Sequence, residues 1–505
     1  MKIPVLDAAQ SAAWDELARA EHAIPSRVLM ESAGRAAAAV IAREFGPALA
    51  GGVVVACGAG NNGGDGWVVA RALAAAGVAV SAVSALQAKS VDCKANRKLA
   101  LAAGVAELDS VAQAGNVGVI VDALLGTGAA GPLRGKVGEV AKSIAKYGAP
   151  IAAIDGPTGL DLSTGEIHGP IHADLTITFG GLRRGHLLNR TACGHVVVVD
   201  IGFPPPLREW PAFMTDAETT VLLPALNAEM HKGERGRVVV VGGSEGMSGA
   251  AIHCAQAAFA AGGGLVKLVA APSTLEAVRA QVPDIMTIES GLTGMLKPEV
   301  VEALEWADAM AIGPGLSREP ERMAFAEQVF ATCEVPIVVD AGAVHARLDR
   351  IASPAAVVTP HAGEFDQMFP DLDRKDIGPF EAARLGAERC NAVILFKGVP
   401  TIIAGGVTTI VVGAGNPALA TGGSGDVLTG LIATFLARGV EPEVAAALGA
   451  QVMGRSADFA AGEKTVRATR PEDVLAEIPR YWRYLESAPD IQLPVLVDLP
   501  APPTA

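Results

Sequence analysis

Short β-branched runs with no polar face recur along this chain, and Ala-rich stretches of helical length separate them. Continuously apolar strands are buried on both sides, so the pattern calls for parallel sheets covered by helices on each face. In the first half the runs are Gly52–Cys57, Val78–Val83, Val117–Asp122, Ile151–Asp155, Leu175–Phe179 and Val196–Asp200. In the second half they include Val238–Val241, Leu265–Val269, Ala309–Gly313, Ile337–Asp340, Ala356–Thr359, Val393–Phe396 and Thr408–Val412. The 505 residues suffice for more than one domain of about 150 residues. Between the halves, Gly202–Arg235 opens on Pro204-Pro205-Pro206 and keeps neither strand nor helix periodicity. Two α/β domains, 1–212 and 213–490, are expected on either side, followed by a flexible Pro-rich tail, 491–505.

Charge and composition narrow the function classes. Forty basic residues against 54 acidic ones leave a net charge of -14, which disfavours nucleic acid and anionic membranes as partners. Aromatic residues, at 4%, are too few for base-stacking platforms. The cysteines are scattered without a CxxC pair, so neither a zinc site nor a disulfide framework is expected, and reduced thiols in a cytoplasmic protein are. The N-terminus lacks the basic-then-apolar layout of a signal peptide. Two uncharged stretches, 246–266 and 398–425, are broken by Gly, Ser, Thr, Asn or His, and no membrane span is expected there.

The densest motif of the first half is Gly58-Ala59-Gly60-Asn61-Asn62-Gly63-Gly64-Asp65-Gly66, between an apolar strand and a helix expected from Trp67 to Ala76. Ligands of open α/β sheets bind at such strand ends, where glycines let the backbone approach and bare N–H groups hold anions. The match to GxGxxG is weak by itself. Asp65 would repel a phosphate unless it faced elsewhere. Two further strand ends carry carboxylates: Asp122, followed by Leu125-Gly126-Thr127-Gly128, and Asp155, followed by Gly156-Pro157-Thr158-Gly159. One such Asp is as readily a helix cap, but several on one rim point to a site. Asn62, Asp122 and Thr158 offer oxygen ligands only, suited to a hard cation.

In the second half, Thr421-Gly422-Gly423-Ser424-Gly425-Asp426 precedes an apolar helix running to about Leu436. Small residues bare the first N–H groups of that helix, whose positive end favours a phosphate. Asp426 falls in the first turn, placed to take a proton from an attacking hydroxyl. No Gly-Lys-Ser/Thr follows, so this is not a Walker A loop. Other strand ends bring Gly242-Gly243-Ser244, Gly313-Pro314-Gly315, Asp340, His361 with Glu364, and Lys397-Gly398 to the same rim. Lys397 places an ammonium where a nucleotide phosphate would lie; His361 is expected to touch substrate, and Glu364 reads equally well as a cap.

With Leu29-Met30-Glu31-Ser32-Ala33-Gly34, the first-half motifs resemble the NAD(P)H-hydrate epimerase domain. The resemblance implies a Rossmann-like three-layer domain that binds hydrated dinucleotide through Asn61, Asn62, Gly63, Gly64 and Asp65 and through Gly126-Thr127-Gly128-Ala129-Ala130-Gly131-Pro132. It implies potassium on Asn62, Asp122 and Thr158, and Asp155 beside the reacting ring as a catalytic residue. Ser32 stands where the family usually has Asn, and Thr158 where Ser is common. The second-half motifs, from His231 to Ala461, resemble the ADP/ATP-dependent NAD(P)H-hydrate dehydratase, a ribokinase-like fold. Here the resemblance implies Asp426 at the hydrated ring, further substrate contacts from Ala251, Gly315 and His361, and adenine nucleotide on Lys397, Gly398, Val399, Pro400, Thr401 and Gly425, with Mg2+. Ser317 and Gly342 replace a usual Gly and a usual Asp; the second loses a carboxylate beside Asp340.

Both resemblances together imply a bifunctional repair enzyme. It would interconvert the R and S hydrates of NADH and NADPH and dehydrate the S form at the expense of ADP (or ATP), giving AMP and phosphate from ADP. Small molecules are the expected partners, with neither nucleic acid nor membrane, and a homo-oligomer of unspecified size is expected. An alternative keeps the kinase-type apparatus for a vitamin-like alcohol and treats the first domain as a silent ligand-binding scaffold.

Overall fold

The computed structural model describes residues 2–353, 355–406, 408–487 and 493–503. The chain forms two compact units that part between Phe213 and Met214, and the first unit takes back the C-terminal strand Val495–Leu499.

In the first unit one sheet runs in the order Val495–Leu499, His195–Val199, Leu175–Phe179, Ile151–Ile154, Val119–Ala123, Val53–Cys57, Val80–Ser84, Ala106–Leu108. All neighbours are parallel except the first pair. Alternate residues of one strand serve opposite cores: Val53, Val55 and Cys57 join one apolar cluster, Val54 and Ala56 the other. Val53–Cys57 has Val80–Ser84 on one side and Val119–Ala123 on the other. Strand order reverses there, which opens a crevice at the carboxyl ends. A short strand, Ile3–Leu6, pairs parallel with Leu182–Arg183 and antiparallel with Ala212–Phe213.

In the second unit the order is Met286–Glu289, Leu265–Ala270, Arg237–Val241, Ala309–Ile312, Ile337–Val339, Ala356–Val358, Val393–Phe396, Thr401–Ala404, Ile410–Val412. The pairing is parallel as far as Val393–Phe396 and antiparallel beyond it. Arg237–Val241, flanked by Leu265–Ala270 and Ala309–Ile312, is the reversal point. Helix Ser424–Ala437 lies against helix Ser248–Ala260 so closely that a Cβ at Gly430 would stand 2.0 Å from the Cys254 carbonyl oxygen.

Three expectations need correction. The helix of the first glycine motif begins at Asn61, not Trp67, with Gly60 as its cap. Glycine disfavours helix by about 1 kcal/mol per residue, but here packing decides: a Cβ at Gly63 would lie 2.0 Å from the Gly58 carbonyl oxygen, and one at Gly66 2.5 Å from Ala123 Cβ. The Pro-rich end is not a loose tail over Val495–Leu499, which pairs with His195–Val199 and is tied further by Asp498 to His195 and Arg43; positions 491–492 and 504–505 of that expectation lie outside the described residues. Finally, the strands Ile3–Leu6, Ala106–Leu108, Met286–Glu289 and Thr401–Ala404 were not anticipated. Ala106–Leu108 and Met286–Glu289 are part-exposed edge strands that mix polar with apolar residues, so they lack the buried-run signature.

Gly63→Ala would force a methyl group into the Gly58 carbonyl. The expected cost is about 1–3 kcal/mol of stability, read as an earlier midpoint in chemical denaturation of the full chain.

Candidate active sites

The loops leaving Val53–Cys57, Val119–Ala123 and Ile151–Ile154 enclose a cavity of about 540 Å3, whose walls include Asn61, Asn62, Asp65, Gly126-Thr127-Gly128-Ala129, Asp155 and Arg183. A second cavity of about 480 Å3 is lined by Ala129, Ala130, Gly131 and Pro132, together with Arg134 and His168. Gly63 and Gly64 are buried beneath the first cavity's wall, where they admit the close packing described above.

Asp155 sits at the centre of the larger cavity's polar wall. Its φ of +65° is rare for a residue with a side chain and marks a backbone held in place by its surroundings. One carboxylate oxygen accepts from the Thr127 N–H at 2.8 Å and from the Thr127 hydroxyl. The other accepts from Thr178 Oγ1 at 3.2 Å and lies 3.3 Å from the Arg183 guanidinium. Burial pushes this carboxyl up, but Arg183 and the Thr127 donors more than reverse it and hold Asp155 below the usual carboxylate range. His186 is fully buried; its Nδ1 accepts from the Arg183 N–H, so its Nε2–H donates to the Asp155 carbonyl at 2.7 Å. Burial drops its pKa to about 4, and it stays neutral.

Asp65 behaves oppositely. Burial first, then repulsion from Asp155 and Asp15, lifts its carboxyl well above the usual range. That shift weakens the charge Asp65 would turn toward a phosphate, which bears on the objection raised by its place in the glycine motif. Asp122, fully buried, accepts from Leu124 N at 3.2 Å, Thr158 Oγ1 at 2.8 Å and Thr158 N at 2.7 Å; burial still raises it to about 6. Thr158 Oγ1 in turn accepts from Leu125 N at 3.1 Å. Asn62 has both side-chain polar atoms buried without a partner. A Cβ at Gly126 would stand 3.2 Å from Asn62 Cγ and 3.0 Å from Asp155 Oδ2, so Gly126 separates them with no room to spare. The orphaned Asn62 amide and the buried Asp122–Thr158 pair, carried by the adjacent strands Val53–Cys57, Val119–Ala123 and Ile151–Ile154 or the segments just after them, offer oxygen donors of the kind a hard monovalent cation takes.

Sequence reasoning missed Arg183, Asp15 and Phe203. Arg183 is only 5% exposed, and a buried guanidinium needs a carboxylate partner; its place just past the apolar run Leu175–Phe179 was the available signal. Phe203 lies in the stretch read as a connector, yet it lines the cavity and stacks on Trp14 at 4.4 Å, while Trp14 Nε1–H donates to the Pro204 carbonyl.

In the second unit, Gly423 with φ +101° caps helix Ser424–Ala437, and Asp426 is the third residue of that helix. Burial, then the charge of Asp340, raises the Asp426 carboxyl to about 7 against the opposing pull of Lys397. Lys397 Nζ donates to Asp340 Oδ1 at 2.8 Å and lies 3.8 Å from Glu364. Gly398, Val399 and Pro400 form the turn between Val393–Phe396 and Thr401–Ala404, with Val399 79% exposed. His361 caps the helix Ala362–Met368: its Nδ1 accepts from the N–H groups of Gly363 and Glu364, and Glu364 accepts from the His361 N–H. The half-exposed ring leaves Nε2 3.4 Å from Glu364. Gly315 presses on the start of Ser248–Ala260, with a Cβ there 2.6 Å from the Met247 carbonyl oxygen and 3.2 Å from Ala250 Cβ. Ala251 is fully buried, backbone included, with its methyl group against Gly243.

The chain resembles known proteins along its whole length. A family described as NAD(P)H-hydrate dehydratase matches residues 238–480, and one described as YjeF-related protein N-terminus matches 26–185. The bifunctional NAD(P)H-hydrate repair enzyme Nnr of Moorella thermoacetica is 36% identical, with 95% of this chain and 97% of that protein covered. That of Salinibacter ruber is also 36% identical, over 94% of this chain and 96% of the relative. Among solved structures, the Bacillus subtilis ADP/ATP-dependent NAD(P)H-hydrate dehydratase co-crystallised with ATP and Mg2+ aligns with a TM-score of 0.50 at 27% identity, covering 55% of this chain and 98% of that one. With two sheets, two carboxylate-bearing strand-end sites and relatives matched from end to end, this chain belongs to the bifunctional NAD(P)H-hydrate repair enzymes.

Proposed function

We propose that residues 1–212 carry the epimerase and residues 213–490 the dehydratase, acting on R and S hydrates of NADH and NADPH. Similarity over the full length favours this over a kinase fused to a silent scaffold. The observation that carries the reading is Asp426, a carboxylate raised to about 7, in the first turn of a glycine-started helix beside the Lys397 ammonium.

Hydroxide is a poor leaving group. Transfer of a phosphoryl group from ADP, or ATP, to the ring hydroxyl gives a phosphate ester, and elimination of phosphate then restores the nicotinamide ring. Asp426 takes the hydroxyl proton as the oxygen–phosphorus bond forms, and the Gly425 N–H at the helix start with Lys397 holds the developing negative charge. The Lys397–Thr401 turn and Gly425 hold the nucleotide; Gly315, His361 and Ala251 meet the hydrate. Mg2+ would accompany the nucleotide and supply charge that offsets its phosphates, beside Lys397 and Gly425.

In the first unit, Asn61–Asp65 and Gly126–Pro132 hold the hydrated dinucleotide. Asn62, Asp122 and Thr158 hold K+, which supplies a fixed positive charge when bound. Asp155, kept ionised by Arg183, faces the ring and handles its proton. Among the described residues no helix is long and apolar enough to cross a membrane; with free, mostly buried cysteines, a cytoplasmic location is favoured. A homo-oligomer is also part of this reading.

Assays on separated hydrates with ADP and ATP in turn test the whole scheme. Asp426→Asn lowers nucleotide-dependent dehydration by about 100-fold or more and leaves epimerisation intact; dehydration at the wild-type rate would refute the assignment. Dehydration should also fade as pH drops through about 7, where Asp426 becomes protonated and can no longer accept. Asp155→Ala brings epimer interconversion down to its spontaneous background, followed by chromatography of the two epimers. Exchanging K+ for Na+ should slow wild-type epimerisation and lower its melting temperature, and Asn62→Leu should erase both effects.

A further inference from the structure

Asp340 ends strand Ile337–Val339, and the next residue, Ala341, turns the chain away with φ +49°. Its carboxylate is 1% exposed and fully engaged. One oxygen accepts from Lys397 Nζ at 2.8 Å and from Thr359 Oγ1 at 2.7 Å; the other accepts from Thr429 Oγ1 at 2.8 Å. Thr429 belongs to the helix that carries Asp426, one turn after Gly425. A Cβ at Gly425 would stand 3.4 Å from Asp340 Oδ2 and 3.6 Å from Lys397 Nζ. The Asp340–Lys397 pair therefore lies directly against the first turn of that helix.

The second carboxylate usual for this turn is replaced by Gly342, and the structure shows why it is not tolerated here. A Cβ at 342 would lie 1.9 Å from the Leu316 carbonyl oxygen. Leu316 precedes Ser317, the other departure from the family pattern, whose N–H donates to Ser244 Oγ at 3.1 Å. The two departures are thus neighbours, and Asp340 is left as the one carboxylate of this turn.

We propose that Asp340 is a positioning residue of the dehydration reaction: it fixes Lys397 where the migrating phosphoryl group passes and sets its carboxylate against the helix turn that carries Asp426, the acceptor of the ring hydroxyl's proton. The proposal rests on the reading of Asp426 as the proton acceptor. A carboxylate in water is a poor base near neutrality, and a buried like charge is the means of strengthening it. The groups facing Asp426 are Asp340 from its strand end, Lys397 from the neighbouring strand end with Glu364 behind it, and the Cys254 thiol from helix Ser248–Ala260. Lys397 acts in the opposite sense, so loss of the Asp340 charge would leave the cation dominant. Three donors already occupy the Asp340 oxygens, which suits a tuning role better than that of a metal ligand.

The test is the pH profile of kcat for dehydration of S-NADHX by the full chain at saturating MgADP. Asp340→Asn should lower kcat about tenfold and move the acid limb down by about half a pH unit or more. Thr429→Val, which removes a hydrogen bond but no charge, should leave the limb at its wild-type position. The nucleotide's own titration is common to every variant and cancels in these differences. A limb unmoved in Asp340→Asn, or moved equally in Thr429→Val, overturns the proposal. Should Asp340→Asn fail to unfold cooperatively, Asp340→Glu decides: it keeps the charge but shifts the Lys397 contact, so kcat should fall with the limb held at its wild-type position, and an unchanged kcat or a moved limb overturns the proposal. Wild-type dehydration by Asp426→Asn is a separate outcome that removes the base itself.

Discussion

Backbone pressed directly on backbone at the strand ends is the constraint on which both active sites depend. In the first unit a Cβ at Gly58 would lie 1.8 Å from the Leu124 carbonyl oxygen, and one at Gly63 2.0 Å from that of Gly58. In the second, Gly242 meets Pro314, Gly313 meets Asp340 and Gly342 meets Leu316 at 1.8–2.0 Å by the same measure. Loops leaving adjacent strands are thereby locked together without side chains between them. The polar groups they carry sit close to one another and to exposed N–H groups, which is what anion binding and proton transfer both require.

Within that shared frame the two units poise their carboxylates in opposite directions. Asp155 is buried, yet Arg183 and the Thr127 donors keep it charged. Asp426 meets a carboxylate as its strongest charged neighbour and is held near neutrality. Geometry of the neighbours, rather than depth of burial, sets the difference: one Asp has an arginine against it and the other an aspartate behind it.

The architecture was legible because fully apolar strands leave an unmistakable trace, and the ends of Leu175–Phe179 and Val393–Phe396 coincide with the expected ones. The carboxylates Asp122 and Asp155 were legible for the same reason, since each ends or follows such a run, and Asp426 because a glycine-rich loop leads straight into its apolar helix. What escaped was whatever depends on partners far away in sequence. Nothing local marks Asn61 as a helix start, because the Gly58 carbonyl and the Ala123 methyl group impose it. Nothing local shows that Asp340 would gather Thr359, Lys397 and Thr429, the last from 89 residues away. Phe203 was hidden by its proline-rich neighbours, although Trp14 fixes its segment in place.

The return of Val495–Leu499 to the edge of the first sheet makes the two activities covalently interleaved rather than strung in tandem. Severing the chain after Phe213 would strip the cover from His195–Val199, leaving a long apolar border of unpaired amides and carbonyls. Such a border invites sheet-to-sheet aggregation. Inheritance of the pair as a single polypeptide is thus favoured by the solubility of its amino-terminal half, independently of any advantage in passing product from one site to the next.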